Sequence, residues 1–432
     1  MLECDFHGMN HLAQMARVEA ATGIRRTSPV ETSIDRSTTA VVLSLFDTGL
    51  GIVRSLGRLG IPVLGLDSDS RMPGFRSRFC IAKVCPDPVS EPERLLRFLL
   101  AEGRRLARPG VLFPATDAFV LFVSRYRDDL APYFRYALPA AALVERLANK
   151  RQQYELAEQA GIPYPRTFYP ETMVDVQHLK NQVKYPLFIK PYYGHFWRER
   201  FGGTHKGFKV QSPEDLTDRF EEILPTGLRA MLQEIIPGPN TSLFEVNLYI
   251  GAGDATLAQF SWRKIRQYPC EFGVGSLVES VWDPELARLG LEFCHSIGYR
   301  GIASIEFKRD LRDGRFYLIE LNPRLWQQNS HATACGLNFP LIQYVDLTGQ
   351  EPEPQRGFAE GVKWLDAGAD FQAFWDSFRR GELSPWSWAL SWRGTRVFAT
   401  FAWDDPGPFL RANEHGLKYL RLPLYLLKQR SP

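Results

Sequence analysis

Residues 316–326 read FYLIELNPRLW and place a carboxylate, an amide and a guanidinium at Glu320, Asn322 and Arg324, every second position of an apolar run. Side chains alternate along a strand, so Phe316, Leu318, Glu320, Asn322 and Arg324 are expected to share one face. Upstream, IASIEFK sets Ile302, Ser304, Glu306 and Lys308 at the same period. The RDLRDG segment between the two runs reads as a hairpin turn. A two-residue loop at Asp313–Gly314 would pair Glu306 with Leu321 and send the acids to opposite faces. A three-residue loop, Arg312–Asp313–Gly314 with Gly314 left-handed, pairs Glu306 directly with Glu320, and this register is the expectation.

Such pairing brings the two Cβ atoms to about 4.5–5.5 Å. Two carboxylates about 4 Å apart repel by about 1–4 kcal/mol, depending on the local dielectric. Ordinary charges on a solvated face are the plainer reading. The alternating Ile and Leu partners and the Pro323–Arg324 ending weigh against it. A positive centre between the acids would remove the repulsion. The hard oxygens of Glu306, Glu320 and Asn322 suit Mg2+, which takes a few carboxylates together with substrate phosphate oxygens.

Around this pair, helix and strand signals alternate. TAVVLSLFDTGLGIVRSLGRLGIPVLGLDSD reads strand, turn, helix, strand, with Leu50, Val53, Leu56 and Leu59 at helical spacing and Gly60 closing the helix. GVLFPATD (110–117) is a further strand ending in polar residues. The alternation implies a small parallel sheet over about 38–140. Gly49-x-Gly51 suggests a dinucleotide turn, but Arg54 stands where the third glycine belongs, so a tight scaffold turn is the better reading. NKRQQYELAEQAGIPYPRTFYP (149–170) is a helix closed by Gly161 and then an extended stretch. Strands at 185–191, 208–211, 229–236, 241–250 and 257–265 read as one antiparallel sheet, followed by a helix over about 284–297. Beyond 350, Trp364, Trp375, Trp386, Trp388, Trp392 and Trp403 read as packing anchors of a helical extension.

Composition narrows the class. A chain of 432 residues, 44% hydrophobic and 23% charged, is expected to fold as a soluble protein of two or three domains. The net charge of +3 is spread out, so nucleic acid is not an expected partner. Cys4, Cys80, Cys85, Cys270, Cys294 and Cys335 form no CxxC pair and read as reduced thiols of a cytoplasmic protein without zinc. Glu3, Asp5, His7 and Arg17 interrupt any signal-peptide pattern, and no apolar run is long enough for a membrane span.

SIEFKRDLRDGRFYLIELNPR resembles the strand pair by which the ATP-grasp superfamily holds magnesium. WRKIRQYPCEFGVGS, GYRGIASIEFK and LNPRLWQQNSHATACGLNFP are similar to its bacterial carboxylate–amine ligase-like group. The resemblance covers roughly residues 40–350, and more loosely the tail through RVFATFAWDDPGPF. It implies an α/β fold (α+β ATP-grasp). A small parallel-sheet, Rossmann-like N-terminal (pre-ATP-grasp) domain at 38–140 would follow an arm at 1–37. An ATP-grasp domain at 141–350, with a lid at about 165–235, would sandwich ATP between two α+β subdomains. A Trp-rich C-terminal helical extension at 351–432 would complete the chain.

The resemblance also implies roles. Lys150 and Lys190 would lay charge on ATP phosphates. Gln233 or Glu234 would accept from the adenine amino group, the Ile236 backbone would pair with the ring, and Asn240 would face the ribose where the family usually has Glu. The loop 194–207, GHFWRERFGGTHKG, takes the place of the glycine-rich phosphate cover, with Gly202 and Gly203 bringing N–H groups to phosphate. His195, His205 and Lys206 are further candidates there. FSWRKIRQYP supplies Arg263, Lys264 and Arg266; Lys264 matches a position beside the transferred phosphate, and alternation sets Arg263 and Ile265 away from Lys264 and Arg266. Arg324 would hold an acyl phosphate, giving a catalytic set of Arg324, Lys264 and Arg263. Asn329 and His331 are read either as pocket lining or as capping and core residues. The implied cofactors are ATP and Mg2+, two ions by the family pattern, with Mn2+ a substitute. The implied reaction joins a small-molecule carboxylate to an amine, an amino acid by expectation, with no nucleic acid, no membrane and a homodimer on family grounds. The competing readings are another ATP-grasp chemistry, carboxylase-like or with a different nucleophile, and a non-catalytic nucleotide-binding scaffold.

Overall fold

The structure, a computed structural model, describes residues 34–202, 206–355 and 357–413. The expected arm, with its helical patch near 9–21, lies outside the described residues up to 33.

The first sheet is parallel. β1 (Ala40–Leu43), β2 (Val63–Asp67), β3 (Ile81–Val84), β4 (Gly110–Pro114) and β5 (Phe134–Arg135) lie in the order β3-β2-β1-β4-β5. β1, β2 and β4 are buried along their whole length, as a parallel sheet covered on both faces requires. The chain runs from β1 outward to β3, then returns to β4 on the other side of β1. The carboxyl ends of β1 and β4 therefore flank a topological switch point, where open α/β sheets hold ligands. The helix Asp47–Gly57 leaves β1 there, and the helix Asp117–Arg125 leaves β4. A Cβ on Gly49 would stand 1.8 Å from the Ser44 carbonyl oxygen, which explains this glycine by close backbone approach. Arg54, which breaks the dinucleotide spacing, serves the packing of the C-terminal segment. It is buried and donates to Asp405 Oδ2 at 2.9 Å and to the Thr400 and Asp405 carbonyls at 2.8 Å.

The strands expected as one antiparallel sheet belong to two. β6 (Thr167–Phe168), β7 (Leu187–Pro191), β8 (Phe208–Val210) and β9 (Ala230–Glu234) form a small antiparallel sheet, ordered β6-β9-β7-β8. Pro237, Gly238 at φ 127° and Pro239 then break the chain away from this sheet. The segment expected as a loop over 194–207 begins instead with a helix, Gly194–Phe201. Its Trp197 is fully buried and stacks near Phe201 and Phe208, with ring centroids 4.5 and 5.2 Å away, so core packing orders the segment.

The largest sheet holds β10 (Leu243–Ile250), β11 (Thr256–Tyr268), β12 (Val274–Ser280), β13 (Gly301–Arg309), β14 (Phe316–Asn322), β15 (Lys363–Leu365) and β16 (Arg396–Phe398). Its order is β14-β13-β10-β11-β12-β15-β16. One face packs Val246, Leu248, Ile305 and Phe307 under the helix Pro284–Ser296. The other packs Tyr249, Phe260, Trp262 and Ile302 against Trp326 and the helix Phe339–Leu347. The C-terminal part is not wholly helical, since β15 and β16 extend this sheet. Its tryptophans divide. Trp364 is buried, and the indole N–H groups of Trp388 and Trp392 both donate to Asp370 Oδ2 at 2.8 Å. Trp403, 90% exposed, anchors nothing of that kind.

Candidate active site

The acidic pair forms by a route the sequence did not display. The turn between β13 and β14 has four residues, Leu311–Gly314, because the Asp310 N–H donates to the Arg315 carbonyl at 2.9 Å. Gly314 is left-handed at φ 76°. This turn alone would put the ladder one residue off the expected register. A bulge at Ile319 restores it: Phe307 pairs with Leu318, but Glu306 pairs with Glu320 and Ser304 with Asn322. The bulge also reverses the alternation, which corrects the expected shared face. Phe316 and Leu318 enter the core, whereas Glu320 and Asn322 stand with Glu306 and Ser304 on the opposite face.

A bulged residue has a carbonyl to spare, and here it is used. The Ile319 C=O accepts from Tyr154 Oη at 2.8 Å and from Lys190 Nζ at 3.0 Å. Lys190 Nζ also donates to Tyr154 Oη at 2.8 Å. Lys190 projects from β7, so the small sheet and the large sheet meet over the acids. The Asn149 side chain caps the helix Lys150–Gln159, aiming Lys150 at Glu320, with which it forms an ion pair. Lys264 from β11 donates to Glu306 Oε1 at 3.1 Å. Burial opposes ionisation of both glutamates, but the lysines prevail: Lys264 holds the Glu306 carboxyl below its usual range, and Lys150 with Lys190 holds Glu320 far below it. Burial in turn pulls the Lys190 ammonium below its usual value.

A third glutamate stands in the same row. Glu245 on β10 lies directly opposite Glu306 and accepts from Ser304 Oγ at 2.9 Å. Burial and the neighbouring Glu306 charge push its carboxyl up to about 7. Glu245 and Asn247 alternate on an apolar strand just as Glu320 and Asn322 do, so the same signal could have found them.

Lys206 stays with the cluster, its charge acting on both Glu306 and Glu320; the other candidates scatter. Gln233 is buried, donates to Thr167 Oγ1 at 2.9 Å and lies 3.4 Å from Tyr154 Oη. Glu234 is paired with Arg312, Ile236 is buried, and Asn240 accepts from Gln267 Nε2 at 3.0 Å. Gly202 has φ 96°; Gly203 and His205 lie outside the described residues, as does the side chain of His195. Lys206 Nζ lies 3.5 Å from the Gly273 carbonyl, as does Lys264 Nζ. Arg263 points away from the acids and pairs with Glu279 at 2.9 Å. A second bulge, at Ile265, parts Lys264 from Arg266, which were expected to share a face. Arg266 instead grips Asp370 through two hydrogen bonds of 2.8 and 2.9 Å. His331 is a core residue, bonded through Nε2 to the Val362 carbonyl at 2.8 Å and pushed down to about 4 by burial. Asn329 donates to the Thr48 and Trp326 carbonyls, both at 2.9 Å, and so ties the large sheet's loop to the first sheet.

Arg324 follows β14 and meets the first sheet. Its Nε donates to Asp117 Oδ1 at 2.5 Å, and its Nη1 to the Leu325 carbonyl at 3.3 Å. Asp117 had no motif to mark it; only the fold carries it to Arg324.

As a whole the cluster has cations from three directions over an acidic strand pair, the arrangement that suits a polyphosphate with a hard cation. Among the described residues no three His, Cys, Asp or Glu side chains converge on one point. Two carboxylates and an amide still fit Mg2+, which leaves its other positions to phosphate and water.

Comparisons with known proteins point to nucleotide-binding relatives. The family model for the carbamoyl-phosphate synthase L chain, ATP binding domain, matches residues 283–344, which include both acids. The D-aspartate ligase of Enterococcus faecium is 25% identical over 296 residues, 66% of this chain and 70% of that protein. The structure of N5-carboxyaminoimidazole synthetase from Staphylococcus aureus superposes with a TM-score of 0.61 at 12% identity, covering 80% of this chain and 87% of that one. The L-amino acid ligase of Bacillus licheniformis gives a TM-score of 0.55 at 16% identity, covering 73% of this chain and 75% of that one. The chain thus shares its fold with these ligase structures and is similar in sequence to the D-aspartate ligase, and the ATP-binding family model falls on the strands that bear the acidic pair.

Proposed function

We propose that the chain is an ATP-dependent carboxylate–amine ligase that works through an acyl phosphate and releases ADP and phosphate. The observation that carries this reading is the cross-strand Glu306–Glu320 pair with Lys150, Lys190 and Lys264 gathered on it. In the first step the substrate carboxylate attacks the γ-phosphorus of ATP, and ADP leaves. In the second an amine attacks the acyl carbon; the C–O bond to phosphate breaks, and phosphate departs with its electron pair. Negative charge spreads over the phosphoryl oxygens in transit, and Lys190 and Lys264 are the groups placed to stabilise it. Glu306, Glu320 and Asn322 would hold Mg2+, which supplies charge neutralisation at the terminal phosphates. Arg324, planar and permanently charged, would hold the acyl phosphate. The Lys190–Tyr154–Ile319 contacts fix the lysine before substrate arrives, so little reorganisation remains for the reacting complex.

The adenine contacts are assigned to Gln233, Glu234 and the Ile236 backbone, the ribose to Asn240, and the phosphate cover to Gly202 and Gly203. Arg263 has the weakest support of the proposed catalytic set, since it turns to Glu279. An amino acid is the proposed amine, in keeping with the ligase relatives. The domain division follows the three sheets: the parallel sheet as the N-terminal domain, the small sheet as the lid, the large sheet as the acid-bearing face. Among the described residues no helix is long and apolar enough to cross a membrane, and a cytoplasmic location and a homodimer are part of the proposal.

The test is a panel of carboxylic acids and amino acids assayed for ADP release with MgATP, with Glu320→Gln as the blank. ADP release that depends on an added acid and amine, and disappears in the blank, supports the ligase. Equal turnover by wild type and blank contradicts it.

A further inference from the structure

β13 gives its two faces to different tasks. Ala303, Ile305 and Phe307 enter the apolar core, while Ser304, Glu306 and Lys308 stand on the acid-bearing face. Lys308 is half-buried there, two positions beyond Glu306. Three carboxylates send their charge to it, and each is already paired with another cation: Glu306 with Lys264 at 3.1 Å, Glu271 with Lys209 at 2.7 Å, and Asp310 with Arg312. The Lys308 ammonium itself makes no hydrogen bond or ion pair among the described residues. Withdrawing an ammonium from water without a partner is costly, so a lysine left unpaired here is fitted to an anion that arrives with a ligand.

The neighbours of Lys308 indicate which part of a ligand lies over it. On one side stand Glu306 and Glu320, the acids assigned to Mg2+ and the terminal phosphates. On the other, its Cα partner on β10 is Leu243, and the turn Asn240–Ser242 just before Leu243 begins with the residue assigned to the ribose. Past Asp310, Arg312 reaches Glu234, one of the residues assigned to adenine, at 2.8 Å. Two strand positions advance about 7 Å, so Lys308 lies one short step from the acids toward the base.

Resting on the ligase reading, we propose that Lys308 binds the α-phosphate of the nucleotide. Of the three phosphates of ATP, the α-phosphate is the one next to the sugar, and it stays on the product ADP. Lys150, Lys190, Lys206 and Lys264 gather on the acids and serve the phosphates in transit. Lys308 serves the part that does not react, and so holds ATP and ADP alike. Its ammonium is a compact point charge on a flexible stem, which suits a phosphate oxygen without demanding a fixed bond direction.

Binding is measured by calorimetry without Mg2+ in wild type, Lys308→Met and Lys308→Arg. ADP is titrated directly, and AMP and adenosine by displacement of ADP. Adenosine lacks the phosphate assigned to Lys308, so the ratio of AMP to adenosine affinity isolates this contact. The ratio does not depend on the fraction of protein that is folded. In Lys308→Met it is expected to fall at least about tenfold, the scale of one lost charge-assisted hydrogen bond, with ADP weakened alike and adenosine unchanged. Lys308→Arg, which keeps the charge, recovers part of the ratio. An unchanged ratio in Lys308→Met overturns the proposal, and so does equal weakening of AMP and adenosine, which would put Lys308 under the base or sugar. A wild type that binds ADP but holds AMP no better than adenosine overturns it as well. A wild type that binds no nucleotide, with or without Mg2+, sinks the ligase reading itself, and this inference with it.

Discussion

Carboxylates withdrawn from water, wholly or in part, meet opposite fates in two parts of this molecule. On β13 and β14, Glu306 and Glu320 each have a lysine in contact, and both lie below the usual carboxylate range despite burial. At the switch point of the first sheet, Asp47 receives only an amide N–H and is pushed up to about 7. Burial is common to both; the neighbouring cation decides which acid stays ionised. The first set stays charged because lysines stand against it. The second feels the Arg54 charge too weakly to offset burial and Asp366.

The contrast can be broken at several levels. The largest effect belongs to Glu320→Gln, which removes half the acidic pair and leaves Lys150 and Lys190 without their counter-ion. A rate loss of roughly 10³-fold in ADP release is expected, measured at saturating MgATP. Asp370→Ala comes next, acting on stability: it strands the Arg266 guanidinium and the indole N–H groups of Trp388 and Trp392 together. A loss of about 3–5 kcal/mol in chemical denaturation is expected, the scale of orphaning a buried charge. A change within about 0.5 kcal/mol, the range of ordinary surface substitutions, would show that the C-terminal segment is not pinned there.

The pH dependence sharpens the same comparison. A folded-state carboxyl raised to about 7 binds its proton more tightly than the unfolded chain does. Asp47 therefore withdraws stability as pH rises from the usual carboxylate range through about 7. Glu306 and Glu320, lowered in the folded state, contribute stability that is lost as pH falls through that range. Asp47→Asn should thus raise the Tm relative to wild type at pH about 8 and have little effect at pH about 4, on the order of 1–3 kcal/mol at the upper end. Equal effects at both ends would contradict the Asp47 assignment. The smallest effect is Gly314→Ala in the hairpin turn: φ is 76° and nothing lies within 4 Å of the new Cβ, so only backbone strain of about 1 kcal/mol follows. ADP release should be retained in that variant, because the Ile319 bulge independently restores the register.

The acidic pair was legible because polar residues at period two along an apolar strand are costly to bury unless partners meet them there. Its register came out as expected through two compensating offsets, a turn one residue longer and a bulge, and neither leaves a mark in the sequence. The bulge at Ile265 was hidden for the same reason, and it redirected Arg266 to Asp370. The helix at Gly194–Phe201 was read as a loop because the resemblance sets a glycine-rich phosphate cover there, whereas Trp197 packing decides its structure. Glu245 carried the same alternating signal as Glu320 and was readable. Asp117 was not, since its meaning depends on where β4 ends relative to Arg324, a contact across 207 positions of sequence.

The most direct test is the Mg2+ dependence of binding a nonhydrolysable ATP analogue, followed by calorimetry in wild type and in the Glu306→Gln, Glu320→Gln double variant. Mg2+ should tighten binding to wild type by about tenfold or more and have no effect on the double variant. The same Mg2+ enhancement in both proteins would place the cation elsewhere and contradict the account.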